Sequence, residues 1–214
     1  MQHFNVAALR AFAVVPALAV SVVLGLPNLS AAADVVEADT PTLIADLQAG
    51  GYIMYMRHAQ TEADYADQVE AVLGDCSTQR MLSEAGWQQA RSIGAAIAAL
   101  NIPVGEVFSS EYCRAWQTAD LAFGSYQTFA GLNFFPAAEY TDAQYAIMKA
   151  SALPVLVAPI APGTNRVIVG HDDVMQSVTG IYPEPQGVIY VLQQDGAGGV
   201  TVVGHINPDG WPSP

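Results

Sequence analysis

Positive charge is the property that this sequence has least of. The 214 residues include 7 Lys and Arg against 20 Asp and Glu, which gives a formal net charge of −13. Nucleic acids and anionic membrane surfaces are polyanions, so we expect neither of them as a partner. A small anionic ligand would also be repelled by the overall field. A site for such a ligand must therefore gather the few cations in one place.

Long apolar runs are also scarce. The longest, Ala11–Leu26, follows Arg10 and has about 16 residues, fewer than the roughly 20 that a membrane-spanning helix needs. The three alanines at 31–33 fit a small-residue cleavage site. We therefore predict a signal peptide over residues 1–33, a domain over 34–214, and a periplasmic or secreted protein with no stable membrane insertion. A retained membrane anchor is the alternative.

Cysteine is the third scarce residue type, with Cys76 and Cys113 only. An even pair of cysteines in an oxidising compartment predicts a disulfide, and two buried free thiols are the alternative. The region before the predicted cleavage site contains no cysteine, which argues against a lipoprotein anchor.

The remaining sequence alternates short apolar segments with segments of helical periodicity. Apolar runs bounded by glycines and charges predict buried strands, and apolar residues at every third or fourth position predict helices. Such alternation is typical of an α/β fold with a mostly parallel sheet. We expect strands over 52–56, 106–109, 166–170, 187–192 and 200–206, helices over 42–49, 83–100, 114–123, 142–153 and 173–178, and a proline-rich connection over 154–164.

Chemically active residues directly follow three of the predicted strands. Arg57 and His58 follow the first, Arg114 closes the polar segment after the second, and His171 and Asp172 follow the third. Ligands of α/β proteins bind at the carboxyl ends of the strands, so these side chains converge if the strands are parallel neighbours.

Such a cluster would suit phosphoryl transfer. A guanidinium fork matches phosphate oxygens, a neutral imidazole can attack phosphorus, and a carboxylic acid can protonate the leaving oxygen. We also expect Arg57 and Arg114 to lower the pKa of the histidines and so to keep them neutral. Arg80 is a third candidate cation for the site, with a solvated loop position as its alternative.

Four sequence blocks resemble the histidine phosphatase superfamily, in its phosphoglycerate-mutase-like branch, and they occur in the order that the family shows. The blocks are MRHAQT at 56–61, LSEAGWQQARSIG at 82–94, VFSSEYCRAWQTA at 107–119 and VIVGHDD at 167–173. The resemblance implies a three-layer α/β/α sandwich without a cofactor. It also implies a phosphomonoesterase that hydrolyses a small phosphorylated metabolite or an envelope sugar phosphate through a phosphohistidine.

The resemblance also implies roles for single residues. His58 would be the nucleophile, and the phosphoryl group would be bound by Arg57, Arg114 and His171. Thr61 matches a hydroxyl that contacts a phosphate oxygen. Two departures from the family pattern are Ala59, which replaces a glycine and adds a methyl group close to the pocket, and Asp64, which replaces an asparagine.

The proton donor is left open by the sequence. Asp172, which directly follows His171, is the first candidate, and Glu139 and Glu62 are the alternatives. Because no donor is clearly marked, a catalytically weak phosphate-binding protein of the same fold is the second functional hypothesis. A metallohydrolase with His58, His171 and Asp172 as ligands is the third, but the adjacent arginines would repel a metal ion.

Overall fold

The computed structural model describes residues 37–62, 71–135 and 139–212. The predicted signal peptide over 1–33 and the position of Asp64 lie outside these residues. The helices are α1 (Thr40–Ala49), α2 (Glu84–Ala99), α3 (Cys113–Phe123), α4 (Asp142–Val157) and α5 (Asp172–Thr179). The strands are β1 (Ile53–Arg57), β2 (Val104–Ser109), β3 (Gln127–Thr128), β4 (Asn165–Gly170), β5 (Ile189–Gln194) and β6 (Val200–Ile206).

The six strands form one sheet in the order β3-β2-β4-β1-β5-β6. The strands β1, β2, β3 and β4 run parallel, whereas β5 is antiparallel to both β1 and β6. The prediction of an α/β fold with a mostly parallel sheet is therefore confirmed, and the antiparallel part is the β5–β6 side.

Helices cover both faces of this sheet, because successive side chains of a strand point to opposite faces. Met54 and Met56 of β1 pack in a core cluster with residues of α1, α2 and α3. The alternate residues of β1, Ile53 and Tyr55, pack in a second cluster with residues of α4 and α5. The architecture is thus a three-layer α/β/α sandwich.

Capping residues set several helix boundaries where the sequence predicts them. The side chain of Ser83 accepts a hydrogen bond from the backbone N–H of Gly86, which satisfies one of the free donors at the start of α2. Gly124 ends α3 with φ at 75°, a left-handed conformation that glycine adopts without a Cβ penalty.

The predicted end of α4 at Leu153 is wrong, because the helix continues through Pro154 to Val157. Proline cannot donate a helical hydrogen bond, which is why its position suggested a helix end. Tertiary contacts outweigh that loss. The carbonyl groups of the last turn accept hydrogen bonds from Arg166, which contacts Val155 and Ala158, and from Gln194, which contacts Leu156 and Ala158.

Strand register brings the three chemically active segments to one edge of the sheet. Arg57 pairs with Gly170, and Ser109 pairs with Val169, so β1, β2 and β4 end at the same level. A Cβ on Gly170 would lie 2.5 Å from the hydroxyl oxygen of Tyr55. That hydroxyl donates a 2.8 Å hydrogen bond to the carbonyl of His171, so the glycine permits a contact that fixes the chain leaving β4.

Cys76 and Cys113 form a disulfide, which confirms the predicted bridge. It joins the loop before α2 to the first residue of α3, across a sequence separation of 37 residues. Gln79 strengthens the same junction, since its side-chain oxygen accepts a 2.8 Å hydrogen bond from the backbone N–H of Cys113. Among the described helices, none is long and apolar enough to cross a membrane.

Candidate active site

His58 lies at the carboxyl end of β1 with no exposed surface. Its Nδ1 is 2.9 Å from the carbonyl oxygen of Ala59, and its Nε2 is 3.1 Å from Nε of Arg114. A carbonyl only accepts and a guanidinium only donates, so Nδ1 carries the proton and Nε2 carries the lone pair. The surroundings therefore select the tautomer in which Nε2 can act as a nucleophile.

Burial lowers the pKa of His58 well below its ordinary value of 6.5, and the charges of Arg114, Arg57 and Arg80 lower it further. Desolvation and neighbouring cations both disfavour the imidazolium, so they act in the same direction. This direction is the one expected from the sequence, and burial is its larger cause.

His171 lies at the end of β4, and its ring centroid is 5.6 Å from that of His58. Its Nε2 is 2.8 Å from the hydroxyl oxygen of Ser110. The tautomer of His171 follows from the next contacts. Asn133 donates through its Nδ2 to the carboxylate of Glu111, and its Oδ1 accepts from the N–H of Glu111 and from the Ser110 hydroxyl. Because Ser110 gives its proton to Asn133, it must accept the proton on Nε2 of His171.

Two buried nitrogen atoms face no protein partner at this edge of the sheet. Among the described residues, no hydrogen-bond partner lies within reach of Nδ1 of His171 or Nε of Arg57. Buried polar groups are nearly always paired, and an orphaned one needs an explanation. A phosphate group seated against His58 would supply an oxygen acceptor for Nε of Arg57 and, as P–OH, a donor for Nδ1 of His171.

The two terminal nitrogens of Arg57 are held by the loop after α5. Nη1 donates to the carbonyl of Pro183 at 2.8 Å, and Nη2 forms an ion pair with Asp172. Asp172 also accepts a 2.7 Å hydrogen bond from the Tyr182 hydroxyl and one from the N–H of Asp173. The first candidate for the proton donor is therefore bound to the arginine that the sequence predicts to bind phosphate.

Asp173 is a titratable group that the sequence analysis did not select. Burial, followed by the charge of Asp172, raises the pKa of its carboxyl group to about 6. Its Oδ2 accepts a hydrogen bond of 3.1 Å from the Tyr140 hydroxyl, which acts against this increase. A carboxyl group with such a pKa holds a proton in mildly acidic solution, unlike an exposed aspartate.

Aromatic side chains form one wall of the site. The rings of Tyr112 and Phe134 lie 5.3 and 4.6 Å from the His171 ring, centroid to centroid. The guanidinium carbon of Arg114 lies 5.0 Å from the Phe134 centroid. Arg114 and both histidines are buried, which strengthens electrostatic interactions there. No feature of the sequence marked Phe134 for this position.

Arg80 and Thr61, the two other predicted phosphate-binding residues, differ in burial and in their contacts. Arg80 is half-buried, and its charge acts on both His58 and His171, which places it near them. Thr61 is buried, with its backbone N–H donating to the side chain of Gln186 at 2.9 Å and its hydroxyl next to the same side chain.

The methyl group of Ala59, expected close to the pocket, packs with Leu82 and Ala90 instead. Helix α2 approaches the same loop closely, since a Cβ on Gly86 would lie 1.9 Å from the carbonyl oxygen of Gln60. Glu62 and Glu139, the alternative proton donors, are both exposed. Within the described ranges, no group of three or more His, Cys, Asp and Glu residues could hold a metal ion.

One protein-family model matches part of the chain, including two of the residues described above. The family model of the histidine phosphatase superfamily (branch 1) matches residues 53–132, which include His58 and Arg114. Over this segment the chain is similar to the histidine phosphatase superfamily. No curated protein sequence matches the chain significantly.

Solved structures of several phosphatases share the fold at low sequence identity. The protein histidine phosphatase SixA, complexed with tungstate, superposes with a TM-score of 0.53 at 15% identity, over 74% of this chain and 97% of its own. A phosphoserine phosphatase mutant of Entamoeba histolytica, complexed with phosphoserine, gives 0.53 at 14% identity over 75% and 99%. A mycobacterial glucosyl-3-phosphoglycerate phosphatase, complexed with VO3, gives 0.52 at 16% identity over 72% and 97%. At these identities the matches show a shared fold and do not indicate a substrate.

Proposed function

We propose that this protein is an exported phosphomonoesterase that transfers the phosphoryl group of its substrate to Nε2 of His58 and then to water. The observation that carries the proposal is the fixed tautomer of His58. Its Nδ1 donates a hydrogen bond to the Ala59 carbonyl, and its Nε2 lone pair accepts one from Nε of Arg114. Small phosphorylated metabolites and envelope sugar phosphates are the substrates that the family resemblance implies.

In the first step, Nε2 of His58 attacks phosphorus and displaces Nε of Arg114 from its present contact. The bond from phosphorus to the leaving oxygen breaks as the bond from nitrogen to phosphorus forms, and the leaving oxygen takes a proton from a carboxylic acid. The positive charge that develops on the imidazole is stabilised by its hydrogen bond to the Ala59 carbonyl, 2.9 Å from Nδ1. In the second step, water attacks phosphorus, the bond from phosphorus to Nε2 breaks, and the carboxylate left by the first step takes a proton from the water. Phosphate is released and His58 returns to its neutral form.

The phosphoryl oxygens would be bound by Arg114, Arg80, Nε of Arg57 and Nδ1 of His171. The arginine donors among them are preorganised and stabilise the charge of the transition state. The neutral tautomer of His171 has no proton on Nδ1, because Nε2 donates to Ser110. A contact there needs one more proton, carried either by the substrate as a P–OH group or by the ring as an imidazolium. Binding should therefore be favoured by acidic solution.

The leaving oxygen would receive its proton from the adjacent Asp172 and Asp173. Asp173 has the raised pKa, and Asp172 links it to Arg57. We expect Asp172→Asn and Asp173→Asn to lower kcat about 10²-fold or more with an alkyl phosphate, because an alkoxide is a poor leaving group. With p-nitrophenyl phosphate, whose leaving group needs no proton, the loss should be much smaller.

Steady-state kinetics with both substrates measures this difference in each variant. Glu139→Gln and Glu62→Gln are the matched comparisons, since each removes one exposed carboxylate. A larger selective loss with the alkyl ester in either of them would move the donor role to that residue.

The pH dependence should show an acidic optimum. Protonation of Nε2 stops the attack, but the pKa of His58 lies well below 6.5, so activity should persist as the pH falls through that value. As the pH rises through about 6, Asp173 loses the proton that it would donate, and kcat/KM should fall. The pH profiles of kcat/KM should be compared between the wild type and Asp173→Asn. Titration of the substrate affects both profiles, whereas titration of Asp173 affects only the wild type. A maximum above pH 7 would contradict the assignment.

Trapping of the intermediate tests the proposed function directly. Denaturation of the mature protein during turnover of a ³²P-labelled ester should yield a phosphoenzyme that is labile in acid and stable in base, as expected of a phosphorylated imidazole. Binding of inorganic phosphate without turnover of p-nitrophenyl phosphate or other phosphate esters would instead favour the phosphate-binding protein.

A further inference from the structure

The side of the site around Arg57 is acidic. Asp172 is ion-paired with Nη2 of Arg57, and Glu184 places a carboxylate oxygen 3.7 Å from Nη1. Asp173 follows Asp172 at the start of α5. Three carboxyl groups therefore surround one guanidinium, whose charge Asp172 already neutralises. The side chain of Glu184 is 69% exposed, so a negative charge beyond the one that Asp172 places on Arg57 faces solvent beside this guanidinium.

An exposed aromatic ring completes this acidic side. Tyr182 is 46% exposed, and its ring centroid is 5.4 Å from the guanidinium carbon of Arg57. Its hydroxyl donates to Asp172, which fixes the ring between the buried pair and Glu184. An aromatic face beside carboxylates is a favourable environment for an organic cation.

The other cations of the domain do not offset this charge. Arg114 and Arg80 act on the two histidines, where the phosphoryl group would be bound. Arg166 lies at the opposite end of the sheet, where its guanidinium contacts Glu106 and carbonyl groups. Arg91 and Lys149 lie on exposed faces of α2 and α4. The sequence has no lysine or arginine at 63–70 or 136–138.

We propose that the enzyme selects phosphate monoesters whose alcohol carries a positive charge, such as an amino alcohol, and discriminates against alcohols that carry a carboxylate or a second phosphate. The inference rests on the proposed phosphomonoesterase function. When phosphorus lies against His58, the leaving oxygen faces the carboxyl pair that protonates it. The alcohol then extends past Tyr182 and Glu184, where a cation is attracted and an anion is repelled.

A series of three two-carbon esters tests the selection at nearly constant size. The esters are 2-aminoethyl phosphate, 2-hydroxyethyl phosphate and carboxymethyl phosphate, which are cationic, neutral and anionic in the alcohol. We expect kcat/KM to decrease in that order, with about tenfold or more between the first and the last at low ionic strength. The ratio should shrink as salt is added, because exposed charges are screened.

Variants locate the charge that is responsible. Glu184→Gln should reduce the ratio of the cationic to the anionic ester several-fold. Asp46→Asn is the matched control, because it also removes one negative charge. Asp46 lies in α1, which leads into the amino-terminal end of β1, whereas the site lies at the carboxyl end of that strand. The ratio in Asp46→Asn should equal that of the wild type.

The outcomes separate this inference from the proposed function. Equal kcat/KM for the three esters would overturn the selection for cationic alcohols, and so would a ratio that Glu184→Gln does not change. In either case, hydrolysis of p-nitrophenyl phosphate would still support the proposed phosphatase activity. No turnover of p-nitrophenyl phosphate or of any of the three esters would overturn both.

Discussion

His58→Ala should lower kcat toward p-nitrophenyl phosphate at least about 10⁴-fold, and no phosphoenzyme should form. The reason is chemical, because the variant removes the atom to which the phosphoryl group is transferred. Loss of a nucleophile typically costs this much or more, and the remaining activity comes from the rest of the site. Single-turnover measurements on the wild type and the variant quantify the loss.

Two comparisons make this result specific. His58 is fully buried, so His58→Asn, which fills more of the space, checks that the loss does not come from a cavity. His205→Ala is the matched control, since His205 lies on β6 and its Nδ1 contacts the carboxylate of Glu37 at 2.6 Å. It should retain wild-type turnover. Full activity in His58→Ala with an unchanged melting temperature would remove His58 as the nucleophile.

The sequence could predict the strand ends because their signals are local. The apolar run before Arg57 and the run before His171 are each bounded by polar residues or glycine, and such runs are long enough only for buried strands. The parallel order of β2, β4 and β1 then places the two histidines and Arg114 together. Local information thus sufficed for the positions of these three side chains.

The contacts of Arg57 could not be predicted in the same way. They depend on Asp172 and on the loop with Tyr182, Pro183 and Glu184, more than 100 residues further along the chain. The raised pKa of Asp173 has the same origin, because burial and a neighbouring carboxylate exist only in the folded chain. The acidic side of the site is therefore a property of tertiary structure, whereas the positions of the histidines follow from the strands.

Arg114→Lys should lower kcat/KM about 10²- to 10³-fold, although it keeps the positive charge. Arg114 lies in the first turn of α3, where a cation is unfavourable against the helix dipole, and its side chain is 3% exposed. Its Nε contacts the nucleophilic nitrogen of His58, and a planar guanidinium can bind two oxygens of one phosphoryl group. A lysine has neither the planar fork nor this reach to His58.

Inhibition by inorganic phosphate measures the same contact without turnover. We expect the inhibition constant of phosphate to rise in Arg114→Lys together with the loss in kcat/KM, because both depend on the bound oxygens. Arg91→Lys makes the same exchange on the exposed face of α2 and should behave as the wild type. Since the disulfide and Gln79 both hold Cys113, the residue before Arg114, Cys76→Ser should reproduce part of the effect of Arg114→Lys. The opposite result, in which Arg91→Lys loses phosphate inhibition and Arg114→Lys retains it, would contradict this assignment. The phosphoryl group would then be bound away from the carboxyl ends of β1, β2 and β4.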